Sequence, residues 1–175
     1  MRQANEINFN QFLDDLRASF KLSVSEKAKD GKKTFQRYLS FLLADEIFAL
    51  PIWQLSEILT DKVVVSIPGA SSRIHGMINY RNHILQVSNI HHMLLIGSHH
   101  KKNPSFLLIT KAIEPWMALL VDRLESLISI DRADIKTEET RNQSNKFITG
   151  KIFYKERLIT ILDLMKFNYG IEKND

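Results

Sequence analysis

Cysteine is absent from this chain of 175 residues, and glycine is scarce, with six residues scattered along it. The absence of cysteine excludes disulfide bonds, thiolate metal sites and a cysteine nucleophile, and it agrees with a reducing compartment. The few glycines form no phosphate-binding loop, no GxGxxG pattern and no GxSxG nucleophile elbow. The sequence therefore lacks the motifs of nucleotide-dependent enzymes and of serine hydrolases.

Long apolar runs are missing too. No run approaches the length of a membrane span, and the opening residues, MRQANEINFNQF, lack the charged start and apolar core of a secretory signal. We therefore expect a cytoplasmic protein.

Metal ligands and catalytic groups show no supporting pattern. The six histidines occur as two adjacent pairs, at 91–92 and 99–100, and as two single residues, His75 and His83. Neighbours in sequence do not share a helix face, and no HExxH pattern is present. Serine, histidine and aspartate are all available, but no spacing supports a triad, so a hydrolase rests only on unpaired residue types. We predict no metal site, no cofactor and no enzymatic activity.

What is present is enough apolar material for a packed domain. Apolar residues make up 44% of the chain, and 24 basic against 20 acidic residues give a net charge of +4. This excess permits an acidic partner, but no dense basic stripe with interleaved aromatics indicates nucleic acid. A small-barrel nucleic-acid-binding protein stays the alternative function, with Phe35, Tyr38 and Trp53 as candidate stacking residues that core packing would explain equally well.

Residues 1–34 are predicted to form an appendage that consists of a helix and a linker. The helix is amphipathic and either packs on its own domain or docks on a partner. Its apolar stripe is formed by Phe9, Phe12, Leu13, Leu16 and Phe20. The polar stretch 23–34 has no period and is typical of a linker.

The stretch from Ser66 to Ile90 is the most informative part of the chain. After a Pro-Gly turn it contains two short runs rich in β-branched and aromatic residues, which predict a hairpin with strands at 74–80 and 84–87. The bend falls at Arg81 and Asn82. Polar residues interrupt these strands where a purely structural hairpin would have none: they are His75, Asn79, Arg81 and Gln86.

A hairpin is also predicted before this stretch, over residues 35–52, and it leads into Pro51, which suits the start of a helix. Apolar residues at helical spacing then predict a short helix over 52–59 that contains Glu57. If that helix packs across the strands, Glu57 can form a salt bridge with Arg81. The residues alone favour an ordinary surface ion pair, and the alternative is a polar contact that shapes a recognition surface.

The remaining segments predict a second series that echoes the first. A strand at 63–67 and a helical turn at 90–96 complete the first series, and a polar joint at 97–104 follows. The second series has strands at 106–110, 116–121, 124–130, 147–153 and 158–161, a long polar loop at 131–146 and a final helical turn at 163–168. In both HILQVSNIHHMLL and RLITILDLMKF an apolar strand runs into an Asn or Asp that suits a helix cap. We therefore predict two similar barrel-like subdomains.

An ordered set of short strings resembles the CheW family of chemotaxis coupling proteins. The strings are LSEIL at 55–59, IPG at 67–69, IHGMINYR at 74–81, HILQVSNI at 83–90, LLVD at 119–122, ITG at 148–150 and LITILDL at 158–164. The resemblance covers about residues 35–167. It divides the chain into an N-terminal extension at 1–34, a CheW-like domain at 35–167 with subdomains at about 35–96 and 105–167, and a tail at 168–175.

The resemblance implies an all-β fold with a few short helices, built from two intertwined, five-stranded, SH3-like β-barrels. It implies a non-catalytic adaptor that couples the cytoplasmic tip of a chemoreceptor to the regulatory domain of a CheA-type histidine kinase, in arrays at the inner membrane. The receptor tip would bind in a groove between the barrels. By motif position, Glu57 and Arg81 are similar to the salt-bridged pair beside that groove, and Gly76 and Asn79 lie nearby.

Three residues depart from the family pattern in the hairpin. Asn82 stands for the usual glycine, Gln86 for the usual proline and Asn89 for the usual aspartate; asparagine tolerates a left-handed bend and also caps helices. The partner surface is therefore expected to differ from the family pattern here. The run at 49–60 and the helical extension resemble the PilI branch, which serves type IV pili and twitching motility.

Overall fold

The computed structural model describes residues 14, 15, 18, 35–60, 62–97, 106–137 and 147–166. Asp14, Asp15 and Ala18 are helical and exposed. The apolar stripe of the predicted N-terminal helix, the predicted linker, most of the predicted joint at 97–104 and the predicted tail lie outside the described residues.

The described residues form mostly strands. The strands are β1 Phe35–Leu43, β2 Glu46–Pro51, β3 Leu55–Leu59, β4 Ile74–Tyr80, β5 His83–Ser88, β6 Phe106–Thr110, β7 Met117–Val121, β8 Arg123–Asp131, β9 Lys136–Thr137, β10 Ile148–Tyr154 and β11 Arg157–Leu162. A short helix, α1, covers Ile90–Leu94, and 3₁₀ turns cover Ile52–Gln54, Arg132–Asp134 and Leu164–Lys166. The expected all-β fold with few short helices is confirmed.

The strands form two interleaved sheets. A six-stranded sheet has the order β8-β1-β2-β11-β10-β9, and a five-stranded sheet has the order β3-β6-β7-β5-β4. Each sheet thus takes strands from both halves of the chain. The halves meet in the antiparallel pairs β1–β8 and β3–β6 and in the parallel pairs β2–β11 and β5–β7. Parallel neighbours cannot be joined by a tight turn, so each must come from a distant segment. The sheets therefore do not follow the expected division at 35–96 and 105–167, and the outer bounds of the domain stay a prediction.

Three apolar clusters stabilise this arrangement. One belongs to the six-stranded sheet and one to the five-stranded sheet. The third and largest joins both sheets and α1, and its fully buried members include Leu39, Phe41, Leu108 and Leu119. Truncation of such a leucine to alanine costs about 2–5 kcal/mol, so this shared cluster holds the sheets together.

Two polar contacts bridge the places where the chain passes from one sheet to the other. The buried Gln54 donates from Nε2 to Asp163 Oδ1 at 2.6 Å and accepts the Leu164 amide at 2.9 Å. At the second crossing, Asp122 Oδ2 accepts the Ala44 amide at 2.6 Å and lies 2.9 Å from His91 Nε2. Because a buried polar group without a partner is costly, both contacts favour one arrangement of the sheets.

The predicted helix over 52–59 is wrong for most of its length. A 3₁₀ turn follows Pro51, and the chain then continues as strand β3, which pairs antiparallel with β6. Periodicity cannot separate a short buried strand from a helix, and here tertiary pairing decides. The predicted strand at 63–67 is also wrong, because only Val65 pairs, in a single bridge with Met77.

The remaining strand predictions are largely confirmed. The hairpins over 35–52 and 74–88 form as expected, and so does the turn at Pro68 and Gly69. The start of the predicted polar loop is wrong: β8 runs to Asp131, and β9 pairs with β10. Residues 138–146 lie outside the described residues.

Candidate functional site

The candidate site is built on hairpin β4–β5, whose two strands are joined by a tight turn. Both central residues of the turn have left-handed backbones, with φ of 49° at Arg81 and 67° at Asn82. Two left-handed residues define the turn type whose twist matches that of paired strands. Asparagine tolerates this conformation well, so Asn82 can replace the family glycine as expected. Arginine does not share that tolerance, so Arg81 is held at the tip of the hairpin at some cost.

A carboxylate on β3, which is the edge strand opposite β4 in the five-stranded sheet, receives two donors from this hairpin. Arg81 Nη2 donates to Glu57 Oε2 at 2.8 Å, and the Tyr80 hydroxyl donates to the same oxygen at 2.6 Å. The Arg81 guanidinium carbon also lies 5.2 Å from the centre of the Tyr80 ring. The predicted contact between Glu57 and Arg81 is therefore present, although Glu57 reaches it from a strand and not from a helix.

Arg81, Glu57 and Tyr80 differ in their exposure to solvent. The Arg81 side chain is 72% exposed and that of Glu57 is 36% exposed, whereas Tyr80 is buried. Burial raises the pKa of the Tyr80 hydroxyl, and its hydrogen bond to Glu57 raises it further. An exposed ion pair contributes at most about 1 kcal/mol to stability. The pair therefore fixes the direction of Arg81 more than it stabilises the fold.

Gly76 allows the 64–65 segment to pack closely against β4. It is buried, and a Cβ at this position would lie 2.5 Å from the Val65 carbonyl oxygen and 2.7 Å from Val64 Cγ1. The register of β4 and β5 shifts between Ile74 and Gly76, and Val65 bonds both ways with Met77 at 2.8 Å. Only glycine leaves room for the 64–65 segment to lie on β4 in this way. Gly76 thus acts through the backbone and does not present a side chain to a partner.

Asn79 lies on the outer face of the same hairpin. Alternation along β4 turns Gly76, Ile78 and Tyr80 inward and leaves Asn79 exposed. Its partner across the hairpin is Ile84, which is 74% exposed. The structure thus brings Glu57 and Arg81 into contact and places Asn79 two residues before Arg81, on the outer face of β4. The assignment of Glu57, Gly76, Asn79 and Arg81 to a receptor site stays a prediction.

Sequence reasoning missed two residues of this site, Tyr80 and Ile84. The alternation of β4 would have placed Tyr80 inside, next to the bend, where a hydroxyl needs an acceptor. Ile84 is an apolar residue on an outward strand position, which the same alternation indicates. Of the departures, Asn89 caps α1 as expected by accepting the His92 amide at 3.2 Å, and Gln86 donates to Ser88 Oγ at 3.1 Å.

A metal site, a membrane span and a nucleic-acid surface each place requirements on the described residues. Among the residues that the structure describes, no group of three or more histidine, cysteine or acidic side chains could hold a metal ion, and no helix is long and apolar enough to cross a membrane. Of the candidate stacking residues for nucleic acid, Tyr38 is buried, while Phe35 and Trp53 are exposed. A buried Tyr38 cannot stack on a base.

Fold and site together define a small two-sheet β protein whose candidate site is a polar contact on an exposed hairpin. The model of the CheW-like domain family matches residues 37–169. The chain belongs to the CheW-like domain family. It is 23% identical over 154 residues to a chemotaxis protein CheW of Helicobacter pylori, covering 87% of this chain and 93% of that protein.

Two further relatives agree with this assignment. A chemotaxis protein CheW of Thermotoga maritima is 25% identical over 138 residues, which is 78% of this chain and 89% of that protein. The crystal structure of the scaffolding protein TtCheW from Thermoanaerobacter tengcongensis superposes with a TM-score of 0.68 at 26% identity, covering 75% of this chain and 90% of that chain.

Proposed function

We propose that this protein is a non-catalytic cytoplasmic adaptor that couples a chemoreceptor to the regulatory domain of a CheA-type histidine kinase. Its membership of the CheW-like domain family supports the proposal. So do the relatives, of which two are chemotaxis proteins and one is a scaffolding protein.

The contact at Glu57 is the observation that carries the proposal. The Arg81 guanidinium is mostly exposed, yet it is fixed from one side by Glu57 and from another by the ring of Tyr80. Arginine has five N–H donors, and the bond to Glu57 uses one of them. A held but accessible guanidinium loses little side-chain entropy when it binds a carboxylate or carbonyl group of a partner. This arrangement suits the edge of a protein-binding groove.

The partner surface extends from Arg81 along the outer face of hairpin β4–β5. Asn79 supplies polar groups there, and its neighbours Ile84 and Met77 supply exposed apolar surface. Gly76 sets the backbone on which these side chains stand. A helical receptor tip that presents both apolar and acidic side chains would meet matching chemistry on this face.

The setting is proposed more narrowly as a type IV pilus system that controls twitching motility. The run at 49–60 and the N-terminal extension support this branch by their resemblance to it. Recruitment to receptor arrays at the inner membrane would follow from binding the receptor. A CheA-like kinase gene and pilus genes beside this gene would be the direct genetic support.

The proposal is tested by measuring the binding of a purified receptor-tip fragment and of a kinase regulatory domain. Arg81→Glu places a second carboxylate beside Glu57, so receptor binding should weaken about tenfold, which corresponds to about 1.4 kcal/mol. The matched control is Arg73→Glu, since Arg73 is an exposed arginine at the other end of the hairpin. It should bind as the unmodified protein does.

Circular dichroism of both variants should show an intact fold. If Arg81→Glu unfolds the protein, the pair is structural. If the unmodified protein binds neither the receptor fragment nor the kinase domain, the adaptor function is rejected.

A further inference from the structure

A second hairpin, β10–β11, repeats the construction of hairpin β4–β5. Its register shifts next to Gly150, where a Cβ would collide with the Lys136 backbone, just as a Cβ at Gly76 would collide with Val65. At its tip Lys155 follows Tyr154, and the Lys155 ammonium lies 5.6 Å from the centre of the tyrosine ring. The same elements, a glycine at the bulge, a tyrosine and a cation at the bend, therefore occur in each sheet.

The turn of this second hairpin is strained. Lys155 and Glu156 both have left-handed backbones, with φ of 46° and 63°. Neither residue is glycine or asparagine, and the left-handed conformation costs other residues about 1–2 kcal/mol each. Backbone strain that the surrounding structure maintains clusters at binding and switch sites. The turn therefore points to a role for the side chains that it holds.

An apolar pair is exposed directly beside this turn. Phe153 is 73% exposed and Leu158 is 51% exposed, and the two are partners across the hairpin. The corresponding pair of hairpin β4–β5 is Asn79 with Ile84. Single exposed apolar residues need no explanation, but two large neighbours at a hairpin tip form a contact surface. The second hairpin is thus the more apolar of the two.

Basic groups surround the pair. Lys151 lies on the same face as Phe153, and Lys155 and Arg157 flank the tip. Glu125 binds Arg157 Nη1 at 2.9 Å, and the Glu125 side chain is only 16% exposed. This bond fixes the guanidinium at the end of the hairpin, on the face of β11 opposite Leu158. The tip therefore combines apolar side chains with cations held in place.

A small pocket opens on the inner side of the same turn. It has a volume of about 170 Å³, and its polar rim includes Lys155, Arg157 and Ser126. Ile47 and Ile159 contribute apolar walls. A side chain of a partner that lies across the tip could enter it, as anchors do in protein interfaces.

We propose that this tip, formed by Phe153, Lys155, Arg157 and Leu158, binds a protein segment that carries apolar side chains flanked by carboxylates. Carboxylates complement the cations, and apolar side chains cover Phe153 and Leu158. A protein segment fits better than an anionic membrane, because Glu156 stands at the point of the turn and would repel a continuous layer of anionic headgroups. The proposal concerns a surface other than the receptor groove and does not depend on it.

The test is a nuclear magnetic resonance titration of the full chain with an N-acetylated peptide, Glu-Asp-Leu-Phe-Asp-Glu. We expect saturable amide shifts at Phe153, Lys155 and Leu158. The double variant Phe153→Ser/Leu158→Ser should weaken binding at least about fivefold, because the apolar contact is lost. Val63→Ser changes an exposed apolar residue that lies on neither hairpin, and it should leave binding at the tip unchanged.

A second variant and two further probes make the outcome decisive. Lys155→Glu should also weaken binding, and a peptide with lysines in place of the carboxylates should cause no shifts at the tip. The proposal is overturned if the acidic peptide causes no saturable shifts at the tip, or if both peptides shift the same residues equally. It is also overturned if the chain sediments with phosphatidylglycerol vesicles and the double variant does not, since the tip would then bind membrane.

Discussion

Hairpins β4–β5 and β10–β11 share a backbone design and differ in the side chains at their tips. Each has a glycine at a register shift, a tyrosine before the bend and a cation over the tyrosine ring. One presents Asn79 and a guanidinium bound by Glu57, whereas the other presents Phe153 and Leu158. The fold therefore requires the glycine and the inward residues of each hairpin, whereas the outward residues differ between the two hairpins.

Each hairpin also has an arginine bound by a glutamate of another strand, and the two glutamates, Glu57 and Glu125, differ in exposure. Glu57 accepts one arginine and one tyrosine and is partly open to solvent. Glu125 accepts both Arg123 and Arg157 and is largely covered. Both contacts leave an exposed guanidinium, and the second also connects β8 to β11.

The largest expected effect tests whether the two bulge glycines are equivalent. Gly76→Ala and Gly150→Ala should each destabilise the protein by about 2–3 kcal/mol, because the added methyl group meets backbone atoms that cannot move away cheaply. Urea unfolding measures both losses. Gly97→Ala is the control, since nothing lies within 4 Å of its added Cβ, and it should be nearly neutral. A mild effect at one glycine alone would break the equivalence of the hairpins.

A smaller effect should appear at Tyr80. Tyr80→Phe removes the hydrogen bond to Glu57 and should cost about 1 kcal/mol at neutral pH. Burial and the bond to Glu57 raise the pKa of Tyr80 above the ordinary value of 10.0. The stability that the neutral hydroxyl contributes is therefore fully present below pH 10 and is lost as the pH rises through the folded-state pKa.

Urea unfolding across the alkaline range checks this pH dependence. The variant should lose less stability than the unmodified protein as the pH rises above 10.0, the ordinary tyrosine value. Some loss should remain, because burial also raises the pKa of Tyr38. Identical alkaline losses in both proteins would contradict the assigned role of the hydroxyl.

The sequence predicts hairpin β4–β5 well because its information is local. Alternation defines β4, and Asn82 next to Arg81 marks a turn that tolerates left-handed backbone. The contact between Glu57 and Arg81 is also predicted, even though the helix assigned to Glu57 is wrong. The family pattern identifies Glu57 and Arg81 by their motif positions, whether Glu57 lies on a helix or on a strand.

What the sequence does not predict depends on distant segments. The strand character of β3 comes from its pairing with β6. The resemblance implies intertwined barrels, but it does not specify the pairs of distant strands, β1–β8, β2–β11 and β5–β7, that interleave the sheets. No local pattern encodes these pairings. The exposure of Phe153 and Leu158 was not predicted for a different reason. Apolar residues in a strand are normally buried, so only the structure shows that these two face outward.

If Glu57 acts on a receptor by holding Arg81, the two side chains should be coupled in receptor binding, and a double-mutant cycle with Glu57→Gln and Arg81→Gln measures that coupling. Calorimetric binding of the receptor-tip fragment would be measured for the unmodified protein, both single variants and the double variant. Each single change should weaken binding about fivefold, and the double variant should bind no more weakly than Arg81→Gln alone, because residues that act together are not additive. Losses that multiply in the double variant, or single variants that bind as tightly as the unmodified protein, would contradict the account.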